Sequence, residues 1–362
     1  MGGRLAGRDP GDVVTRTARI SVVAAMLDEA AHVDDLVRDL AAQDFEGEVE
    51  VLVADGGSTD GSPARLEEAA AAAGLAVAVI PNPAKLVAPG LNRCIGRATG
   101  DLIVRIDCHS RYPSDYLRRC AEAADETGAW NVGGVYEPDG RTPTERAVAC
   151  ALDSAFGGVN WTRDAGKARR VETDTVYLGA FRPDVFRQVG GYDESLVRNQ
   201  DDELNARIRA AGGRIVLDPA IRSWYRPRGS FRSLWRQYYE YGRWKPVVMA
   251  KSRRVLSVRS LAPLALVGGG TGLAALAPGS TGARRLLAAG TVAYGLLAVG
   301  FASAAARRRG ERLRLVPYAA AAYPVMHVGY GLGTAAGLAA LSLTSPPAPP
   351  DGDGSSAGPS AG

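Results

Sequence analysis

The chain has 362 residues, 43 of them Lys or Arg and 39 Asp or Glu, for a net charge of +4. At roughly 150 residues per domain the length suggests about two domains, and 46% hydrophobic against 23% charged residues excludes a wholly disordered chain. So even a charge balance argues against a dedicated nucleic-acid binder, and no nucleic-acid partner is expected.

Residues 1–17 are rich in Gly, Arg and Asp and read as a flexible N-terminus. They carry no apolar run, so no signal peptide is expected. Ile20–Met26 is a short apolar run, read as a buried strand. Ala31–Gln43 has helical spacing, with Val33, Leu36 and Leu40 on one face. Val49–Ala54 reads as a second strand, ending in the turn cluster Asp55-Gly56-Gly57-Ser58-Thr59-Asp60-Gly61 that opens another helix. Leu75–Ile80 reads as a third strand, Leu86–Ala98 as a helix and Asp101–Ile106 as a fourth strand. Such alternation predicts an α/β, Rossmann-like and mostly parallel sheet with helices on both faces. Ligands then sit at the carboxyl ends of the strands, where Asp28-Glu29, Asp55 and Asp107 fall. After Asn131 the pattern is mixed, apart from a helix over Asp201–Ala211. The four cysteines (Cys94, Cys108, Cys120, Cys150) form no CxxC pair and read as reduced cytoplasmic thiols.

The mean hydropathy of −0.07 averages two unlike halves. Uncharged stretches run over Leu261–Pro278 (18 residues), Leu286–Ala306 (21) and Leu315–Leu343 (29). Each approaches or exceeds the ~20 residues of a membrane helix, and Gly268, Gly269 and Gly270 make the first the weakest. Three transmembrane helices are therefore expected within 260–343. Arg222 to Arg259 holds eleven Lys or Arg and one acid, Glu240, and the loop Arg307 to Arg314 carries five Arg. By the positive-inside rule the catalytic half and that loop face the cytoplasm, making this a multi-pass protein of the inner (plasma) membrane. Within the basic segment (226–259), Phe231–Trp244 is both aromatic and cationic. It suits a helix on the membrane surface or an amphipathic helix packed in the soluble domain. Residues 344–362 are rich in Pro, Gly, Ser and Asp and read as a disordered tail.

Three motifs carry chemistry. Asp107-Cys108-His109 follows an apolar strand. Ligands at i and i+2 on a strand end point the same way, so carboxylate and imidazole can reach one divalent ion, Mg²⁺ or Mn²⁺, of the kind that neutralises a leaving diphosphate. Cys108 should point away. Asp55 can accept from a base N–H, although the segment also reads as a plain turn. Asp201-Asp202-Glu203 opens a helix, where acids are favoured by the dipole. Three exceed capping needs, so one of them can serve as a general base.

In this order the motifs resemble glycosyltransferase family 2, the GT-A nucleotide-diphospho-sugar transferases, from about Ile20 to Lys245. Ser21 through Glu29 is similar to the family's first strand, Asp55 to Gly61 to its Asp-Asp-Gly-Ser-Thr-Asp-Gly segment, and Asn92 with Ala98-x-Gly100-Asp101 to the helix before strand four. Asp107-Cys108-His109 stands where the family has Asp-x-Asp. Gly190 to Glu194 followed by Gln200 to Leu204 resembles the family's base region, and Gly242-Arg243-Trp244 the end of Gln-x-x-Arg-Trp. Ala54 to Ser58, Asp107 to His109, Asp174 to Phe181 and Tyr241 to Lys245 resemble one subgroup, the succinoglycan-biosynthesis (ExoA-type) transferases, which also carry C-terminal membrane spans. Gly56, Gln200 and Glu240 depart from the family pattern. The last argues against a processive synthase.

The resemblance implies a catalytic domain over 18–225. It implies an inverting, metal-dependent transferase that moves a sugar from a nucleotide-diphosphate sugar to a lipid-linked (polyprenyl-diphosphate) saccharide in exopolysaccharide or cell-envelope glycan synthesis. Asp201 would be the base. Glu29, Asp55 and Asp107 would hold the nucleotide sugar, and Asp107 and His109 the metal. Asp202, Arg243 and Trp244 would face acceptor or diphosphate. A polyprenyl-phosphate monoglycosyl synthase, a nucleotidyltransferase and a catalytically degenerate membrane scaffold stand as alternatives. Release of nucleoside diphosphate rather than pyrophosphate separates the transferase from the second of these.

Overall fold

A computed structural model describes residues 16–157, 169–251 and 258–343. The disordered tail expected over 344–362, and the expected flexible N-terminus but for its last two residues, lie outside them. The first half alternates as the sequence predicts: β1 (Arg19–Met26), α1 (Val33–Ala41), β2 (Glu48–Asp55), α2 (Ser62–Ala72), β3 (Val77–Pro81), α3 (Val87–Ile95) and β4 (Leu102–Arg105). Strands β3, β2, β1 and β4 lie side by side and parallel, with Met26 opposite Asp55. Covered on both faces, β1 and β4 need apolar residues at nearly every position, and Ile20, Val22, Ala24, Leu102 and Val104 are fully buried.

After β4 come β5 (Ser110–Arg111) and α4 (Tyr116–Thr127), and the mixed region from Asn131 on supplies β6 (Asn131–Pro138), α5 (Pro143–Leu152), β7 (Val171–Glu172), β8 (Tyr177–Phe181), α6 (Pro183–Val189), α7 (Gln200–Ala210) and β9 (Ile215–Tyr225). β8 enters antiparallel between β4 and β6, and β6 pairs in parallel with β9. Nine strands among the described residues thus form one mostly parallel α/β sheet.

Helix α8 (Phe231–Lys251) leads to three further helices: α9 (Val258–Leu276), α10 (Thr281–Arg308) and α11 (Val316–Leu343). All three apolar stretches read from the sequence are helical. Among the described residues one helix, α10, is long and apolar enough to cross a membrane, and Ser260–Leu276 is apolar but shorter.

These helices are not hung on a separate stalk. α8 and α11 run side by side in the same direction. Gly329, Gly333 and Gly337 lie against the backbone at Trp235, Tyr239 and Arg243, and Gly242 lies against Tyr330. Four-residue glycine spacing lets helix backbones approach this closely. The aromatic segment packs along α11, one of the three stretches expected to span a membrane. A further apolar cluster joins Val148 and Leu152 of α5 to Leu234, Ala302, Ala319 and Tyr323. The α10–α11 loop docks on the sheet domain. Arg308 donates to the Asp153 carbonyl (2.8 Å), Arg309 to the Pro138 carbonyl (2.5 Å), and Glu311 pairs with Arg146. The loop placed by its charge on the same side as the N-terminal half therefore touches the sheet domain directly.

Candidate active site

The carboxyl ends of β1, β2 and β4 deliver the predicted acids to one edge of the sheet. β4 stops at Arg105, so Asp107 and His109 do not sit on a strand as their spacing suggested. They lie in a turn closed by the Ser110 N–H donating to the Asp107 carbonyl (3.2 Å), because the chain must bend there to begin β5. Both residues nonetheless line the same cleft. Cys108 is buried and directs its thiol at the Ala25 carbonyl (3.7 Å), away from them. The turn is pinned by Tyr112. Its hydroxyl accepts from the Asp107 N–H (2.8 Å) and donates to the Asp107 carbonyl (3.0 Å).

Asp201 arrives from the far wall. It stands in the first turn of α7, which follows Asn199 in the left-handed conformation (φ 60°). Its carboxylate pairs with the buried guanidinium of Arg105, whose other arm lies 3.5 Å from Asp107. Arg105 also lies over the Tyr192 ring. Burial raises the Asp201 pKa above the ordinary carboxylate value against the pull of Arg105, and the nearby Asp107 and Asp202 charges add to the rise. A carboxylate so placed is a better proton acceptor than one in water. Asp202 turns to Lys245 of α8 (2.7 Å).

Glu29, beyond β1, accepts from His109 Nδ1 (3.0 Å). Burial opposes protonation of His109, but the hydrogen bond to Glu29 and the Asp107 charge outweigh it and raise its pKa. The bond also fixes the ring and leaves Nε2 as the available ligand atom. A carboxylate on the second ring nitrogen is the usual company of a metal-bound histidine. Asp107 and His109 therefore suit a divalent cation. Among the described residues no third His, Cys, Asp or Glu completes a cluster with them. Asp55 caps its own turn, accepting from the Gly57 N–H (2.9 Å) and the Ser58 hydroxyl (2.6 Å). It lies on the same sheet edge, outside the described cleft lining.

The cleft measures about 400 Å³ and is lined by Arg105, Asp107, His109, Asp153, Asp201 and Asp202, among others. Arg198, Arg228, Gln237 and Tyr241 close its α8 side. Arg243 and Trp244 lie further along α8, outside this lining, Arg243 exposed and Trp244 half-buried. Glu240 pairs with Arg198 (2.9 Å). Three participants escaped the sequence reading. Arg105 is a lone cation in an apolar strand, two residues before Asp107, and that placement was its signal. Tyr177, which donates to Asp107 (3.4 Å), stood only within a stretch noted for its resemblance, and Asp153, just after α5, carried no signal.

Comparison with known proteins places this geometry in a family. Residues 21–174 match the family described as Glycosyl transferase family 2. The chain is 32% identical to Succinoglycan biosynthesis protein ExoA of Rhizobium meliloti (strain 1021) over 257 residues, 70% of this chain and 77% of that protein. The mannosyltransferase PcManGT from Pyrobaculum calidifontis, solved in complex with GDP-Man and Mn²⁺, superposes with a TM-score of 0.61 at 21% identity, over 90% of this chain and 88% of that one. TarS 1-349 of S. aureus in complex with UDP-GlcNAc gives a TM-score of 0.52 at 15% identity, over 89% and 92% of the two chains. The two structures speak to the fold; the family match and the curated relative speak to membership. The chain belongs to glycosyltransferase family 2 and is a glycosyltransferase of the GT-A fold, similar to ExoA.

Proposed function

We propose that this enzyme is an inverting, metal-dependent transferase that moves a sugar from a nucleotide-diphosphate sugar to a lipid-linked saccharide at a membrane, in exopolysaccharide or cell-envelope glycan synthesis. The observation that carries this reading is one cleft lined by Asp107, His109 and Asp201 and walled by α8, the helix packed along α11. PcManGT was solved with GDP-Man and Mn²⁺, TarS with UDP-GlcNAc, and the name of ExoA is that of a succinoglycan biosynthesis protein. These support a nucleotide-sugar donor, a divalent cation and a polysaccharide product.

Asp201 takes the proton from the acceptor hydroxyl. The acceptor oxygen bonds to the anomeric carbon from the face opposite the diphosphate, the bond to the diphosphate oxygen breaks, and nucleoside diphosphate leaves. Arg105 holds Asp201 in place. Glu29 orients His109, and Glu29 and Asp55 occupy the sheet edge assigned to the nucleoside. Asp107 and His109 would hold Mg²⁺ or Mn²⁺, which when bound supplies positive charge to the departing diphosphate. Three spans (260–343) anchor the enzyme in the plasma membrane with the cleft on the cytoplasmic side.

The test incubates membranes carrying the enzyme with labelled nucleotide sugars and extracts them with organic solvent. Label in the lipid fraction with release of nucleoside diphosphate is expected. Label confined to water-soluble product across the common donors overturns the lipid-linked acceptor. Label on a bare polyprenyl phosphate makes the enzyme a monoglycosyl synthase instead.

A further inference from the structure

A second void lies beside the reaction cleft. It measures about 550 Å³, is open on one side, and is bordered by the turn Ala155–Gly157 after α5 and by α8, α9, α10 and α11. Its walls include Phe156, Tyr241, Ala262, Leu266, Met326 and Tyr330. The size falls within the ~300–1,000 Å³ of small-molecule sites, and such sites are mostly apolar with a few polar groups. The apolar helices α9, α10 and α11 supply most of its lining, α10 being the one suited to crossing a membrane.

The two voids meet at Tyr241, which lines both. On the cleft side of that residue Arg198 and Arg228 stand close enough to influence its hydroxyl electrostatically. Arg198 is paired with Glu240, whereas Arg228 has no acidic partner within ion-pair distance among the described residues. The order of surfaces is thus carboxylates, then guanidinium groups, then a mostly apolar chamber with a few polar groups. That order matches an amphiphile with an anionic head and a hydrocarbon tail.

We propose that this chamber is the seat of the acceptor's lipid, holding the first isoprenoid units of a polyprenyl chain while its phosphates lie beside Arg228 and Arg198. This rests on the lipid-linked acceptor proposed above. The saccharide then extends from the phosphates toward Asp201, so the membrane helices bind substrate as well as anchoring the enzyme. Burying apolar tail surface supplies affinity remote from the reacting hydroxyl, and the shared residue Tyr241 sets the distance between tail and base.

Two measurements on the full chain test this. The first uses a photoreactive polyprenyl phosphate as the probe. Label is expected on peptides of α8, α9 and α11 that face the chamber, and it should be lost in Ala262→Trp and Leu266→Trp, which fill the space from an exposed helix. Label that spreads over the outer surface of α10, or that survives both substitutions, overturns the proposal. The second compares kinetics. Both variants should raise KM for a polyprenyl-diphosphate-linked saccharide by roughly tenfold or more, with hydrolysis of donor in the absence of acceptor unchanged. An unchanged KM overturns the chamber's role. Transfer into lipid by the wild-type enzyme without labelling of the chamber rejects this inference and keeps the acceptor class. Labelling of the chamber without any transfer into lipid rejects the acceptor class instead.

Discussion

The guanidinium of Arg105, set in the parallel sheet, donates to the carboxylate of Asp201, set in the first turn of α7. One cation thus ties the general-base candidate to the end of β4, just before the turn that carries Asp107. The pairing holds Asp201 in its ionised form while burial pushes the other way, and burial prevails.

The first prediction follows from that balance. Asp201→Asn should lower turnover by at least ~10²-fold, as loss of a general base does, with donor binding near normal. A base must be ionised to act, and the Asp201 pKa is raised. The rate of the native enzyme should therefore fall as pH drops through a value above the usual carboxylate range. Arg105→Met removes the cation that opposes the shift, so this acid limb should move to higher pH, and Arg105→Lys should move it less. Profiles of kcat/KM against pH check this, with thermal melts confirming that the variants fold. Near-native turnover in Asp201→Asn would transfer the role to Asp202 or Glu203.

The second concerns the metal. Asp107→Ala should abolish metal-dependent donor binding, and His109→Ala should weaken it less, because a neutral ligand offsets less charge. Protonated His109 cannot ligate, and its pKa is raised by Glu29 and Asp107. Metal affinity should therefore decline as pH falls through that raised value. Glu29→Gln lowers the His109 pKa and should carry the decline to lower pH. Mn²⁺ titrations followed by nucleotide binding test all three variants. Persistent metal-dependent binding in Asp107→Ala would place the site elsewhere.

Topology gives the third. The α10–α11 loop touches Pro138, Asp153 and Arg146 of the sheet domain, so it must share the side of the cleft. The α9–α10 loop should face the opposite side. The native cysteines are buried, so Ser280→Cys in intact cells should react with an impermeant maleimide and Arg312→Cys only after permeabilisation. A reporter fused after Gly362 should be active only outside. Reaction of both cysteines from one side would remove α10 as a span.

How far the sequence disclosed this arrangement depends on the range of the forces involved. β1, β2 and β4 were legible because a strand buried on both faces must be apolar almost throughout, and their ends carried the acids with them. β8 was not, since its place between β4 and β6 is set by antiparallel pairing with strands distant in sequence. Arg105 was visible but read as part of an apolar run, whereas its worth lies in a partner 96 residues away. The glycines of α11 were read only as part of an uncharged stretch, because hydropathy averages composition and cannot tell a lipid-facing glycine from one beneath another helix. Those at 268–270 have open space around them, in keeping with dilution alone.

That distinction supplies the last prediction. A Cβ added at Gly333 would fall well inside contact distance of the Tyr239 carbonyl and 2.9 Å from the Arg243 nitrogen. These are backbone atoms of α8 and cannot rotate away. Gly333→Leu must therefore push α8 off α11, at the ~1–3 kcal/mol typical of overpacking or more. Gln237 and Tyr241, six and two residues before Arg243, would move with it and widen the cleft's α8 wall. The variant should melt lower in detergent and lose acceptor affinity before donor affinity, because Asp107 and His109 stand in the turn between β4 and β5 rather than on α8. Gly269→Leu, where nothing lies within 4 Å, should change neither property. Equal melting temperatures for the two variants would mean that α8 is not held by the glycine seam, and that the cleft is shaped by the sheet domain alone.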